Sequence, residues 1–114
     1  MEVTMSSNGP VLLVTIKGRL DGNTSPGLER DLLGRIQAGE TTIVMDFADV
    51  DYVSSAGLRV MMVAAKRVRA AHGSVVLCAI NDNVLEVLRL SGFHTFFRIL
   101  PSVAEAMTDV TGTS

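Results

Sequence analysis

Residues 41–80 read TTIVMDFADVDYVSSAGLRVMMVAAKRVRAAHGSVVLCAI, and the order of patterns within them decides the fold class. Thr41 to Phe47 is a β-rich run, apolar except at Asp46. From Ala56 to Ala71 the residues Leu58, Met61, Met62, Ala65 and Val68 recur at helical spacing, and His72-Gly73 offers a stop. Ser74 to Ile80 is again β-rich and unbroken, the pattern of a strand covered on both faces. Strand, helix and strand with short connections predict a parallel βαβ unit.

Working outward, Val11 to Lys17 forms another β-rich run between Asn8-Gly9-Pro10 and Gly18, and Val3-Thr4-Met5 is placed to pair with it as a hairpin. Thr24-Ser25-Pro26-Gly27 reads as a helix start, with Leu28, Leu32 and Ile36 following at intervals of four and Gly39 as the stop. Beyond residue 80, Asn81 or Asp82 caps a short helix through Val84, Leu85 and Leu88, closed by Gly92. Thr95 to Ile99 reads as the last strand, and Ser102 with Glu105 forms a capping-box pair opening a terminal helix. The order is β-β-α-β-α-β-α-β-α: an α/β fold whose mainly parallel, mixed sheet carries packed helices. A single domain is expected over 1–110, with a loose tail at 111–114.

Composition narrows the function. The 114 residues are 47% apolar and 19% charged, with a net charge of -2, which supports a packed core and argues against a basic nucleic-acid binder. A chain of this mass exposes roughly 6,000 Å² when folded, against about 18,000 Å² unfolded. One cysteine, Cys78, excludes an internal disulfide and reads as a buried small side chain. No apolar run is long enough to span a membrane, and Met1-Glu2-Val3-Thr4 lacks a basic leader, so a cytoplasmic protein without direct membrane insertion is expected.

The densest polar cluster joins the central strand to the long helix: Asp46, Asp49, Asp51, Ser54 and Ser55, with Gly57 in the first turn. Ligands and contacts gather at such strand-to-helix edges. One serine suffices to cap the helix, which frees the other for a second role. A nucleophile would need a base, yet His72 falls about 25 Å away along the helix and His94 follows a different one. A Gly-x-Ser-x-Gly elbow, a calcium loop, a phosphate loop with lysine and a dinucleotide fingerprint are all missing, so neither a metal nor a cofactor is expected. Phosphorylation of Ser55 by another protein is physically attractive, because a phosphate near a helix N-terminus leaves the fold intact while altering what the surface can bind.

Asp51-Tyr52-Val53-Ser54-Ser55-Ala56-Gly57-Leu58-Arg59-Val60 resembles the signature of the STAS domain, specifically of bacterial anti-sigma factor antagonists. Gly18-Arg19-Leu20-Asp21 with Thr24, Ile43 to Phe47 with Asp49, Val75 to Ala79, and Leu90-Ser91-Gly92-Phe93 resemble further family segments in the same order. The resemblance implies that Ser55 is phosphorylated by an anti-sigma factor with a serine-kinase fold. The unphosphorylated protein would bind that partner and free a sigma factor, and a separate serine phosphatase would restore it. Asp21 would then contribute to recognition near the serine. Asp46 and Asp49, with Gly57, would support that end of the domain, Asp46 either as a buried hydrogen-bonded group or as an exposed contact. Asn23, Tyr52, Val53, Ser54, Leu58, Arg59 and Met62 complete the expected binding face with Asp21 and Ser55.

Two positions depart from the family pattern: Ser54 stands where an aspartate is common, and Ala56 where serine or threonine is common. Ser54 is therefore both the natural cap and the rival acceptor. A STAS adaptor subunit that binds a transporter or signalling complex without phosphorylation fits the same fold. A small serine hydrolase is disfavoured by where the histidines fall.

Overall fold

A computed structural model describes residues 2–111. β1 (Glu2–Asn8) and β2 (Val11–Leu20) form an antiparallel hairpin. Gly9 closes it at φ +60, a conformation that a side chain disfavours. Then follow α1 (Ser25–Gln37), β3 (Thr42–Val53), α2 (Ser55–Ala70), β4 (Ser74–Cys78), α3 (Asp82–Ser91), β5 (Arg98–Leu100) and α4 (Val103–Thr111). The sheet order is β1-β2-β3-β4-β5, with every pair after the hairpin parallel.

That steadily advancing order determines where the helices go. Parallel crossovers are right-handed, so α1, α2 and α3 must all fall on the same face. Leu12, Val14, Ile16, Ile43, Met45, Phe47 and Leu77 point to that face and form one core with Leu28 and Leu32 of α1, Met61 and Val68 of α2 and Leu88 of α3. The alternate residues Val11, Val44, Val76 and Cys78 face the other way, where Ala106 of α4 packs on them with Met107 and Val110 beside it. The central strands are thus apolar on both sides, as the unbroken run in β4 predicts. The folded chain exposes 6003 Å². Burial pushes the Cys78 thiol up to about 11, with Asp46 adding to the rise, and the sulfur faces the Met45 carbonyl at 3.6 Å.

Several boundaries differ from the sequence expectation; β1 spans Glu2–Asn8 rather than Val3 to Met5, and β2 runs past Gly18 to Leu20. The last strand begins not at Thr95 but at Arg98, because Gly92, at φ +77, ends α3 and starts a 3₁₀ turn over Phe93–Phe96. Its aromatic residues mimic strand composition, yet Phe93 and Phe96 meet edge to face at 6.4 Å within the turn. β4 stops at Cys78 rather than Ile80, since Ala79 takes φ +57 and leaves the sheet. β3 runs to Val53 instead of ending near Phe47, so Asp49 and Asp51, like Asp46, belong to the strand and not to the connection after it. Of the expected loose tail, Thr111 is the last residue of α4, and 112–114 lie outside the described residues.

Candidate partner-binding site

The overrun of β3 builds the site. β4 pairs with β3 only as far as Cys78 opposite Asp46, whereas β2 stays paired through Leu20 opposite Val53. Past Lys17 and Asp49 the two strands continue as a two-stranded ribbon, beyond the last pairs made by β1 and β4. Between Thr15–Asp46 and Lys17–Asp49, and again between Gly18–Val50 and Arg19–Tyr52, β3 carries one more residue than β2. Each such bulge adds twist and re-aims the following side chains. Asp46 helps to form the first, its carboxylate accepting the Ala48 N–H at 3.0 Å. It is half-buried and bonded to its own strand, whereas Asp49 and Asp51 are exposed.

At the tip of the ribbon, the Ser54 N–H donates to the Leu20 carbonyl at 2.9 Å, tying the start of α2 to the end of β2. Ser54 is the N-cap: its hydroxyl accepts the Gly57 N–H at 3.3 Å, and its carbonyl accepts the Leu58 N–H at 2.9 Å. Ser55 is the first helical residue and is exposed. The division of labour between the two serines follows. Ser54 completes the helix end, and Ser55 presents a hydroxyl beside the free N–H groups of the first turn.

Gly57 is buried, and a methyl group there would lie 2.8 Å from both the Leu20 carbonyl oxygen and its Cγ, and 3.0 Å from Val53 Cγ1. α2 approaches the ribbon this closely only because residue 57 lacks a side chain.

The neighbouring loop is held by Asp21 and Thr24. Asp21 Oδ1 accepts the N–H groups of Asn23 at 3.0 Å and Thr24 at 3.2 Å. The Asn23 bond is the largest influence holding the Asp21 carboxyl below the usual range; desolvation opposes it, and the Thr24 bonds and the Arg19 charge add to the lowering. Thr24 precedes α1 but does not cap it. Its hydroxyl instead donates to the Arg19 carbonyl at 2.9 Å and accepts the Asp21 N–H at 2.9 Å. The loop is therefore stitched to the end of β2, immediately beside the strand position that fastens Ser54.

Of the sequence-predicted binding residues, Asp21, Asn23, Tyr52, Ser54 and Ser55 gather at this end. Tyr52 is 42% exposed, and the Arg19 guanidinium lies 4.4 Å from its ring centre. Arg19, quoted in the sequence only within the Gly18 to Asp21 segment, was not among the expected binding residues; the strand register sets it opposite Tyr52. Val53 is a core residue at 3% exposure and presents nothing to a partner. The alternation that exposes Tyr52 turns its neighbour inward. Leu58 and Met62 are also largely buried, but with Arg59 they line a groove running from Ser55 along α2. Arg59 reaches to Glu29 of α1 at 2.8 Å.

No group of three or more potential metal-ligating side chains occurs among the described residues. His72 sits beyond the C-terminal end of α2, the opposite end from Ser55. No described helix is long and apolar enough to cross a membrane.

A ribbon-mounted serine at the start of the second crossover helix, on a five-stranded sheet with one helix behind it, defines a class. The STAS domain family model matches residues 2–106, and the chain belongs to that family, among its anti-sigma factor antagonists. BtrV of Bordetella bronchiseptica, classed with those antagonists, is 35% identical over 102 residues, covering 90% of this chain and 88% of BtrV. TM1081 of Thermotoga maritima superposes with a TM-score of 0.91 at 20% identity, covering 96% of this chain and 94% of the other. Phosphorylated SpoIIAA of Bacillus superposes with a TM-score of 0.78 at 18% identity, covering 96% and 99%. The unphosphorylated form of SpoIIAA matches equally, at 0.79.

Proposed function

We propose that this chain is an anti-sigma factor antagonist whose grip on a kinase-type anti-sigma factor is switched off by phosphorylation of Ser55. The observation that carries the reading is the split between two adjacent hydroxyls: Ser54 engaged as the helix cap, Ser55 exposed one residue later. A relative of the same fold has been solved both with and without its phosphate. In that reading Asp21, Asn23, Tyr52, Ser54 and Ser55 meet the partner, with Leu58, Arg59 and Met62 alongside. Asp46, Asp49 and Gly57 hold the ribbon and helix in place. Val53 supports the face from within the core. The protein works in the cytoplasm, and a separate serine phosphatase resets it.

The chemistry belongs to the partner. Its kinase site supplies ATP, magnesium and the base; this chain supplies one hydroxyl oxygen as nucleophile, and the γ-phosphoryl group moves to it as ADP leaves. The product carries about -1.5 to -2 charges near neutral pH. First-turn N–H groups and the helix dipole favour that charge, so α2 keeps its place. The partner's surface, complementary to a neutral hydroxyl, is left facing an uncompensated dianion.

Intact-mass measurement after incubation with a serine-kinase anti-sigma factor and magnesium-ATP tests the acceptor. One phosphate is expected on the native chain and on Ser54→Ala, and none on Ser55→Ala. Phosphate uptake by Ser55→Ala equal to that of the native chain would refute the assignment.

A further inference from the structure

The groove that starts at Ser55 continues down α2 well beyond the serine. Leu58, Met62 and Val63 of α2 line it together with Phe93 and Phe96 of the 3₁₀ turn, and its volume is about 550 Å³. Its floor is recessed, with Leu58 7% and Met62 8% exposed, while Phe96 on the rim is 40% exposed. A recessed apolar floor with an aromatic rim suits a convex, ridged object better than a flat one.

The charge around the groove has one sign. Arg59 and Lys66 line it and no acidic residue does. The bias extends along the element: α2 carries Arg59, Lys66, Arg67 and Arg69 and neither aspartate nor glutamate, in a chain whose net charge is -2. Among the described residues only Arg59 of these four is in an ion pair. Arg69 lies over the Phe96 ring, its guanidinium 5.9 Å from the ring centre. Arg67 and Arg69 fall in the last turn of α2, where the helix dipole favours cations, whereas Lys66 lines the apolar trough with no ion-pair partner among the described residues. An acidic occupant would neutralise Lys66.

We propose that this groove docks an amphipathic helix of a partner protein, with apolar residues at helical spacing against Met62, Val63 and Phe96 and carboxylates facing Lys66 and Arg59. The partner's identity rests on the function proposed above: the groove opens at Ser55, so the helix belongs to the anti-sigma factor that docks there. The same continuity strengthens the switch. A phosphate on Ser55 stands at the groove mouth, where it repels the acidic segment, so one modification opposes both contacts.

The probe is a synthetic helical peptide with leucines at i, i+4, i+7 and i+11 and glutamates elsewhere, titrated into the unphosphorylated full chain. A twin peptide with lysines replacing the glutamates is titrated in parallel. The glutamate peptide is expected to bind about tenfold or more tightly than its twin, shifting the amide resonances of Met62, Val63, Lys66, Phe93 and Phe96. Lys66→Glu, an exposed substitution, is expected to abolish that preference while the far-UV circular dichroism stays unchanged. Equal affinities, shifts confined to other faces, or retention on anionic phosphatidylglycerol vesicles with no peptide binding would overturn the proposal. Neither kinase nor phosphate enters the titration, so its failure leaves the Ser55 assignment standing, and failure of that assignment leaves the groove's own preference intact.

Discussion

Replacing Ser54 with alanine removes the acceptor that holds the Gly57 N–H, whereas the same change at Ser55 removes a hydroxyl with no part in the cap. Loss of such a cap costs about 1 kcal/mol, and an exposed substitution that breaks no contact stays within about 0.5 kcal/mol. Urea unfolding of the two variants is therefore expected to separate them, with Ser54→Ala the less stable. Equal stabilities would mean that the two hydroxyls are not divided between structure and signalling as described. Gly57 offers a harsher test, since its missing side chain sets the distance between α2 and the ribbon. A methyl group there meets a backbone carbonyl oxygen at 2.8 Å, which cannot give way as a flexible side-chain end can. Overpacking of this kind costs about 1–3 kcal/mol. Gly57→Ala is expected to lower the urea midpoint accordingly and to shift the amide resonances of Leu20 and Ser54; an unchanged midpoint would contradict the close approach.

At the level of elements, the site depends on how far β3 outruns its neighbour β4. Asn81 braces the overrun: its side-chain N–H donates to the Val50 carbonyl at 2.9 Å, while its oxygen accepts the Val84 N–H at 2.8 Å and caps α3. Asn81→Ala loses both bonds and is expected to cost about 1–2 kcal/mol in thermal or urea unfolding. Asn81→Asp keeps the cap but not the donor and is expected to fall between. If the aspartate variant matched alanine, the cap would carry none of the stability. The cap itself was legible in the sequence, as were the helix starts at Ser54 and Ser102, because a short polar side chain ahead of a periodic apolar run has few other meanings. The overrun was not. Asp49 and Asp51 read as lying beyond a strand that ended at Phe47, because carboxylates are rare in central strands. A two-stranded ribbon exposes enough of its surface to carry them, and its two bulges break the alternation that marks a strand. The groove was hidden for a different reason. Phe93 and Phe96 meet α2 only through the tertiary fold, and Phe96 falls in the run that reads as the last strand.

Across the whole molecule, the carboxylates with lowered pKa values belong to separate connections. Asp21 is held low chiefly by the Asn23 N–H at the Ser55 end. Glu40, in the connection leading into β3, is held low first by Arg35, at 2.8 Å, and then by the Ser7 hydroxyl, at 2.7 Å. For each the folded value lies below the ordinary one, 3.8 for Asp21 and 4.5 for Glu40. Their contributions are therefore complete at neutral pH and are lost as pH falls through the folded values. The urea midpoint is expected to drop between pH 6 and pH 3, and less so in a variant carrying Asp21→Asn and Glu40→Gln. An equal drop in that variant would place the acid sensitivity elsewhere.

The central claim joins these scales: one phosphate on an exposed hydroxyl changes what the molecule binds without changing how it folds. Its most direct test compares the affinity of the chain singly phosphorylated at Ser55 with that of the unphosphorylated chain for the kinase-type anti-sigma factor, by calorimetry. Amide spectra of both forms are recorded alongside. The expected result is a weakening of about 10²–10³-fold with core resonances unmoved. Equal affinities, or a loss of affinity accompanied by collapse of the core spectrum, would contradict it.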